Sequence, residues 1–420
     1  MRFHNYTQYP PRGASSDEYT YTFLGQSLLQ KGVPTSWSFM PFYPQYGHRE
    51  DLTVDKIYFP IVSPYFDHPP LNGILVGAWA ILNGEKSFQS ARISTIRQIP
   101  IFLGIITSIL TLLIAIKLYD RKTGIWALLI YSVSTIIIIN TRAVFAENLL
   151  TPLYLLSLLI FLIIKKKPKI THMIILSILS GLAFWTKELG ITVFISILLL
   201  SLMERFSLKL LATFSLLSLF FFGLYPLYGY FYNWKLYTAV VFSQSMRVIG
   251  PNTLNSLFFK PIVVDKVYFD GWYLFGFVSF FASFLDLKSN KYLLIPSFTY
   301  FFLMLISLSK EGDMGWYMIP LFPFFSILSA HLLREGIKKK NGYIFIAVLF
   351  VGLYIVRYCF EAKFGLPNLT YRILMGIAFF PLLVSFMAKW ERMFELLSEV
   401  WFYSMIVVTI YISYYYIHPV

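Results

Sequence analysis

Two adjacent carboxylates, Asp17 and Glu18, stand in a short polar lead-in, Ser15-Ser16-Asp17-Glu18-Tyr19. Further ionisable residues follow singly in apolar surroundings. Asp67-His68 precedes Pro69-Pro70-Leu71, and Arg142 and Glu147 bracket a tight turn between Asn140 and Asn148. Lys187-Glu188 follows Trp185-Thr186, and Tyr317 sits in Gly315-Trp316-Tyr317-Met318-Ile319-Pro320. A charge at the centre of a membrane span costs about 2.5–3.5 kcal/mol on insertion scales, and less near its ends. Such residues therefore need a reason to be there. Carboxylates on one side of a cavity, with Lys, Arg, His and Tyr on the other, suit chemistry on a phosphate-linked substrate. Cations and a phenol bind a leaving phosphate through charge-assisted hydrogen bonds, while a carboxylate takes the proton of an attacking hydroxyl. Each residue also has a structural reading. Asp17-Glu18 fits the first turn of a solvated helix with Ser16 as N-cap. Trp316 and Tyr317 fit an interfacial aromatic belt, His68 fits a turn, and residues 310–313 fit a solvated turn.

The surroundings of these residues are apolar along most of the chain. Of 420 residues, 57% are hydrophobic and 13% charged, about half the charged share of a soluble domain. An all-α, polytopic integral membrane protein is expected. The net charge of +14 is confined to short basic clusters between apolar runs, which excludes a nucleic-acid partner and reads as cytoplasmic loops. The single Cys359 rules out an internal disulfide framework.

Residues 1–96 form a first, non-cytoplasmic loop region. In it, 17–31 reads as an amphipathic helix ended by Gly32 and Pro34, then a loop through Tyr43, Asp51, Asp55 and Asp67, then an apolar segment at 71–83. Residues 97–420 form a transmembrane domain of 12–13 helices, with spans at about 97–117, 124–140, 147–164, 171–186, 189–203, 207–231, 271–286, 292–308, 316–334, 343–360, 372–388 and 400–417. Several are shorter than the roughly 20 residues of a full crossing. Alternate connections carry nearly half of the 35 Lys and Arg, among them Lys165-Lys166-Lys167 and Lys338-Lys339-Lys340. The positive-inside rule places these in the cytoplasm and puts the loops 141–147, 187–188, 232–270, 309–315 and 361–371 outside with residues 1–96. Two sequons, at Asn5 and Asn368, fall on that outer side. An exported N-terminus needs a route across the membrane, and Arg2-Phe3-His4 reads as the outer end of a preceding helix.

Five segments in order resemble the membrane-embedded GT-C glycosyltransferases, in the branch of protein O-mannosyltransferases and the aminoarabinose transferases that modify lipid A. Asp17-Glu18 is similar to the acidic pair of that family's first outer loop. Asp67-His68-Pro69-Pro70-Leu71 is similar to its His-Pro-Pro or Lys-Pro-Pro motif. Arg142 through Glu147 resembles its Arg with a carboxylate five residues on, with Glu where Asp is commoner. Gly181-Leu182-Ala183-Phe184-Trp185-Thr186-Lys187 resembles a Gly-Leu-Ala segment ending in a phosphate-binding Lys, and Tyr317-Met318-Ile319-Pro320-Leu321-Phe322-Pro323 a Tyr-x-x-Pro-x-x-Pro segment. The resemblance implies inverting transfer of a sugar from a polyprenyl or dolichyl monophosphate to an acceptor hydroxyl of a protein, glycan or lipid, outside the plasma membrane or in a lumen. It implies Asp17 as the catalytic base, with Glu18 beside it. Lys187, Tyr317, His68 and Arg142 would bind the donor phosphate, and Glu147 and Asp67 would form a second acidic side. No cofactor is certain, although Asp17, Glu18 and Glu147 leave a divalent cation open. A likeness of Asp270-Gly271-Trp272-Tyr273 to the oligosaccharyltransferase Trp-Trp-Asp signature is too short to count.

A transporter or flippase of a lipid-linked or anionic substrate is the alternative. Transporters show internal repeats and midplane sites, whereas this chain shows no repeat and gathers its charges at one face. A non-catalytic membrane scaffold is a third reading.

Overall fold

The computed structural model describes all residues except 12–14, 16, 55–56, 247–269, 308–314, 357–364, 366 and 416–420. Ser16, Cys359 and the 310–313 turn therefore lie outside the described residues. The chain opens with turns over residues 2–8, where the sequence had suggested a helix end. They are held because the Arg142 guanidinium donates to the backbone carbonyls of Met1 and Arg2, at 2.9 and 3.1 Å.

Helix α1 is Asp17–Lys31, and its first turn is capped by the Ser15 hydroxyl, which accepts from Asp17 N–H at 3.2 Å. Gly32, at φ +68°, ends it in the left-handed conformation that glycine adopts without strain. The helix is not amphipathic. Glu18, Tyr19, Thr20, Tyr21, Thr22 and Leu24 to Ser27 are all buried, because other elements enclose it on several sides. Glu18 supplies one fixed point, and the Ser36 hydroxyl donates to Thr20 O at 2.8 Å.

The expected loop after α1 is instead a three-stranded antiparallel sheet, an addition to an otherwise helical fold. Strands β1 (Ser36–Trp37), β2 (His48–Val54) and β3 (Ile57–Ser63) lie in the order β1-β3-β2, with Trp37 opposite Ile61 and Glu50 opposite Ile61 on the other edge. β3 is rich in aromatic and β-branched residues and buries alternate positions Pro60 and Val62, the pattern of a half-buried strand. Its partner β2 reads as a loop because it is an exposed edge strand carrying Arg49, Glu50 and Asp51, the composition that protects sheet edges from mispairing.

Helix α2, Leu71–Leu82, follows Pro69-Pro70 and crosses α1 at glycine. A Cβ on Gly25 would lie 1.9 Å from Gly73 O, and one on Gly77 would lie 2.6 Å from Gly25 Cα. The two backbones are in contact, and only hydrogen fits between them. Gly25→Val is expected to lower stability by at least about 1–3 kcal/mol, the cost of overpacking, as a drop in thermal midpoint in detergent.

The helical domain follows with α3 (Gln98–Leu118), α4 (Arg121–Val133), α5 (Thr135–Asn140), α6 (Ala146–Ile164), α7 (Ile170–Thr186), α8 (Ile191–Met203), α9 (Leu208–Ser245), α10 (Gly271–Ala282), α11 (Leu287–Ser307), α12 (Phe322–Lys338), α13 (Asn368–Met387) and α14 (Glu391–Tyr415). Among the described residues, six helices are long and apolar enough to span a membrane, and four more apolar helices are shorter. The protein is an integral membrane protein. Two span expectations change. Residues 124–140 are broken at Ser134, where Asp270 clamps the break by accepting from Ser134 Oγ at 2.6 Å and Ile136 N–H at 3.1 Å. The outer loop expected at 232–270 is helical through Ser245, with non-helical backbone at Asn233.

Chain direction sorts the polar contacts to the two ends of the bundle. One end gathers Arg97, Arg142, Glu147 and Lys187 at helix termini. The other carries Lys122–Glu399, Lys291–Glu204, Lys338–Asp120 and Lys340–Glu391 ion pairs.

Candidate active site

Asp17 and Glu18 are adjacent in sequence and separate in role. Glu18 is fully buried in a two-pronged ion pair with Arg97, with Nε and Nη2 each 2.8 Å from a carboxylate oxygen. It also accepts from Val144 N–H at 3.2 Å. Arg97 donates in addition to the carbonyls of Tyr6 and Pro10. Glu18 thus ties α1 to the start of α3 and to the 141–145 turn, and this geometry makes it an anchor for its neighbour. Asp17 points elsewhere, into the electrostatic reach of Lys187, Glu147 and Asp67.

Lys187 ends α7 in extended backbone and forms a buried ion pair with Glu147, the second residue of α6. Its ammonium lies over the Tyr317 ring, 3.8 Å from the centroid, within the distance of a cation–π contact. Tyr317 is fixed in turn by its own backbone carbonyl, which accepts from Tyr300 OH at 2.9 Å. Trp316 beside it stacks on Phe145 at 5.0 Å. The 141–147 turn, the α7–α8 junction and the segment before α12 therefore meet at one point, opposite the N-terminus of α1.

The other predicted residues are placed less centrally. The Asp67 carboxylate accepts from Ser38 Oγ at 2.5 Å and Tyr43 OH at 2.6 Å, and its backbone carbonyl accepts from Gln244 at 2.7 Å. It pins the first loop to the end of α9. His68 packs against the Tyr21 ring, with centroids 5.2 Å apart, at the edge of the cluster. Arg142 does not join the cluster. All its described hydrogen bonds go to the carbonyls of Met1, Arg2 and Tyr9, which leaves its guanidinium committed to the N-terminal turns. Among the described residues no group of three or more His, Cys, Asp or Glu is arranged to hold a metal. Asp17, Glu18 and Glu147 do not form one donor set, since Glu18 is paired with Arg97 and Glu147 with Lys187.

Two residues that sequence reasoning missed belong here. Tyr21 is one helical turn from Asp17, and lies within electrostatic reach of Asp17, Glu147, Glu188 and Tyr317. The i, i+4 spacing on α1 was a usable signal. Arg97 is the other, hidden because it read as a flank of the first span.

Burial pushes the Asp17 carboxyl up from 3.8 to about 6, with Lys187 acting downward and Glu147, Glu18 and Asp67 adding upward. A base works in its deprotonated form, so turnover that depends on Asp17 should fall as pH drops through about 6 and level off above it. An unperturbed Asp would hold activity down to about pH 4. Because Lys187 stabilises the carboxylate, removing that ammonium should move this acid limb to higher pH. A pH profile of turnover at saturating donor checks both.

This architecture matches known proteins. Residues 67–228 match the family profile described as dolichyl-phosphate-mannose-protein mannosyltransferase. The fold is similar to ArnT from Cupriavidus metallidurans bound to undecaprenyl phosphate, at 14% identity and TM-score 0.55, and to the apo form, at 14% and 0.51. Each alignment covers 95% of this chain and 73% of ArnT. The chain has the fold of these GT-C glycosyltransferases. It is also similar in fold to the apo oligosaccharyltransferase of Archaeoglobus fulgidus, at 13% identity and TM-score 0.51, covering 96% of this chain and 53% of that GT-C protein. A search of curated protein sequences returns no match.

Proposed function

We propose that this protein is a GT-C glycosyltransferase that transfers a glycosyl group, with inversion, from a polyprenyl or dolichyl monophosphate sugar to an acceptor hydroxyl. The observation that carries this reading is a buried ammonium, Lys187, paired with Glu147 and lying over the Tyr317 ring, with the Asp17 carboxylate in its electrostatic reach. The acceptor oxygen attacks the anomeric carbon as the bond from that carbon to the phosphate oxygen breaks. The hydroxyl proton passes to the Asp17 carboxylate, and the electron pair leaves on the polyprenyl phosphate. Lys187 has three N–H donors. Its ion pair with Glu147 leaves others for the phosphate, and a fixed cation at a developing anion lowers the barrier without reorganisation. Glu147 holds that cation in place.

Two further observations support the reading. The ArnT structure contains undecaprenyl phosphate, and the mannosyltransferase profile covers Asp67, Arg142, Glu147 and Lys187. The site lies at the end of the bundle away from Lys165 to Lys167 and Lys338 to Lys340. The positive-inside rule supports a site on the non-cytoplasmic face, and we assign the protein to the plasma membrane. The test is release of free polyprenyl phosphate from a panel of lipid-monophosphate sugars by purified protein, with membrane extract as acceptor. Release above a no-enzyme control supports the transferase. No release with any donor overturns it in favour of a transporter.

A further inference from the structure

Lys187 and Tyr317 also line a cavity of about 340 Å³. This lies near the lower end for small-molecule sites. Its other polar lining comprises Glu188, Tyr225, Tyr237, Gln244, Ser245 and Ser307. The α7–α8 junction that supplies both charges is tight, with Lys187 in extended backbone at φ −161° and ψ 147°. Gly190 N–H then closes the turn on Lys187 O at 2.7 Å. A Cβ on Gly190 would lie 2.1 Å from Ala183 O, so glycine is required for the junction to fold this tightly.

Two features of the wall call for a hydroxylated ligand. Glu188 lines the cavity together with the phenols Tyr225 and Tyr237. Tyr225 is 3% exposed, and its hydroxyl has no hydrogen-bond partner among the described residues. A buried phenol ordinarily finds a partner, and one left without is a group that a ligand can satisfy. An isoprenoid tail could not satisfy the Tyr225 hydroxyl and offers no donor to a carboxylate. A sugar suits both groups: a ring or hydroxyl oxygen accepts from Tyr225, adjacent hydroxyls donate to the carboxylate, which has several lone pairs to offer, and its C–H faces pack on tyrosine rings.

We infer that this cavity is the sugar subsite of the donor, and that Glu188, with Tyr225, selects the transferred sugar by its hydroxyl pattern. The inference rests on the donor reading above and adds the residues that would set its specificity.

The test uses the full chain and two lipids, undecaprenyl monophosphate without sugar and the same lipid carrying a hexose, with affinities measured for wild type, Glu188→Gln and Tyr225→Phe. Glu188→Gln should weaken the hexose-bearing lipid about 10- to 100-fold, the range for hydrogen bonds to a charged group. Tyr225→Phe should weaken it less, and neither variant should change the affinity for the sugar-free lipid. Equal losses on both lipids would mean that Glu188 acts through Lys187 or the fold, and would overturn the inference. So would unchanged hexose-lipid binding, including the case in which only acceptor-dependent turnover falls. If wild type binds neither lipid, the donor reading itself fails and this inference with it.

Discussion

Asp17→Asn is expected to reduce glycosyl transfer by about 10²- to 10⁴-fold, the contribution of a positioned general base, while donor affinity changes little. Asn has the size of Asp and fills the same place at the start of α1, so the contacts of Tyr21 and the anchor at Glu18 remain. What it lacks is a proton acceptor. Because Glu18 is locked to Arg97 and Val144, it cannot take over the role. The variant should therefore bind lipid-linked donor and fail to turn it over, with a residual rate that has lost the acid limb near pH 6. Single-turnover kinetics beside a donor-binding isotherm make the separation. Normal turnover in Asp17→Asn would remove the base assignment.

Lys187→Met is expected to act twice. The ammonium is the central cation of the cluster, and its loss should weaken donor binding. It also leaves Glu147, 1% exposed in its side chain, as an uncompensated buried charge, which typically costs about 3–5 kcal/mol. The double variant Lys187→Met/Glu147→Gln removes the stranded charge. It should recover most of the thermal stability in detergent and none of the donor affinity. That difference separates a phosphate ligand from a packing element. Full donor affinity in the stable double variant would exclude the phosphate role, and Tyr317 would be left as an aromatic contact.

Sequence reading located the cluster for a physical reason. In an apolar chain, a charge is costly wherever water does not reach it, so the few that persist mark helix ends, pairs or sites. Lys187 and Glu147 stood out in this way and are found paired. The same reasoning could not divide Asp17 from Glu18, because adjacency on a helix fixes only that their side chains diverge by about 100°. Which one meets a cation of the bundle is set by the position of Arg97, 79 residues on. Arg142 shows the converse. Its spacing from Glu147 is that of a site pair, yet its guanidinium is taken up by carbonyls of the N-terminal turns, groups with no sequence signature at all.

The sheet and the cavity mark the same boundary. β2 was invisible because this edge strand is mostly exposed and carries Leu52 as its apolar contact with the core, too little for an alternating pattern. Glu188 and Tyr225 are 37 positions apart, and only the packing of α9 against the α7–α8 junction brings them to one wall. What the sequence by itself determined is the membrane-embedded helical class, the order of the helices and the five segments that carry the charges, since these follow from hydropathy and from the cost of isolated charge in lipid. What the tertiary structure alone decided is which of those charges neutralise one another and which face a cavity. Pairing depends on distances of a few ångströms between segments far apart in the chain, and local sequence does not encode them.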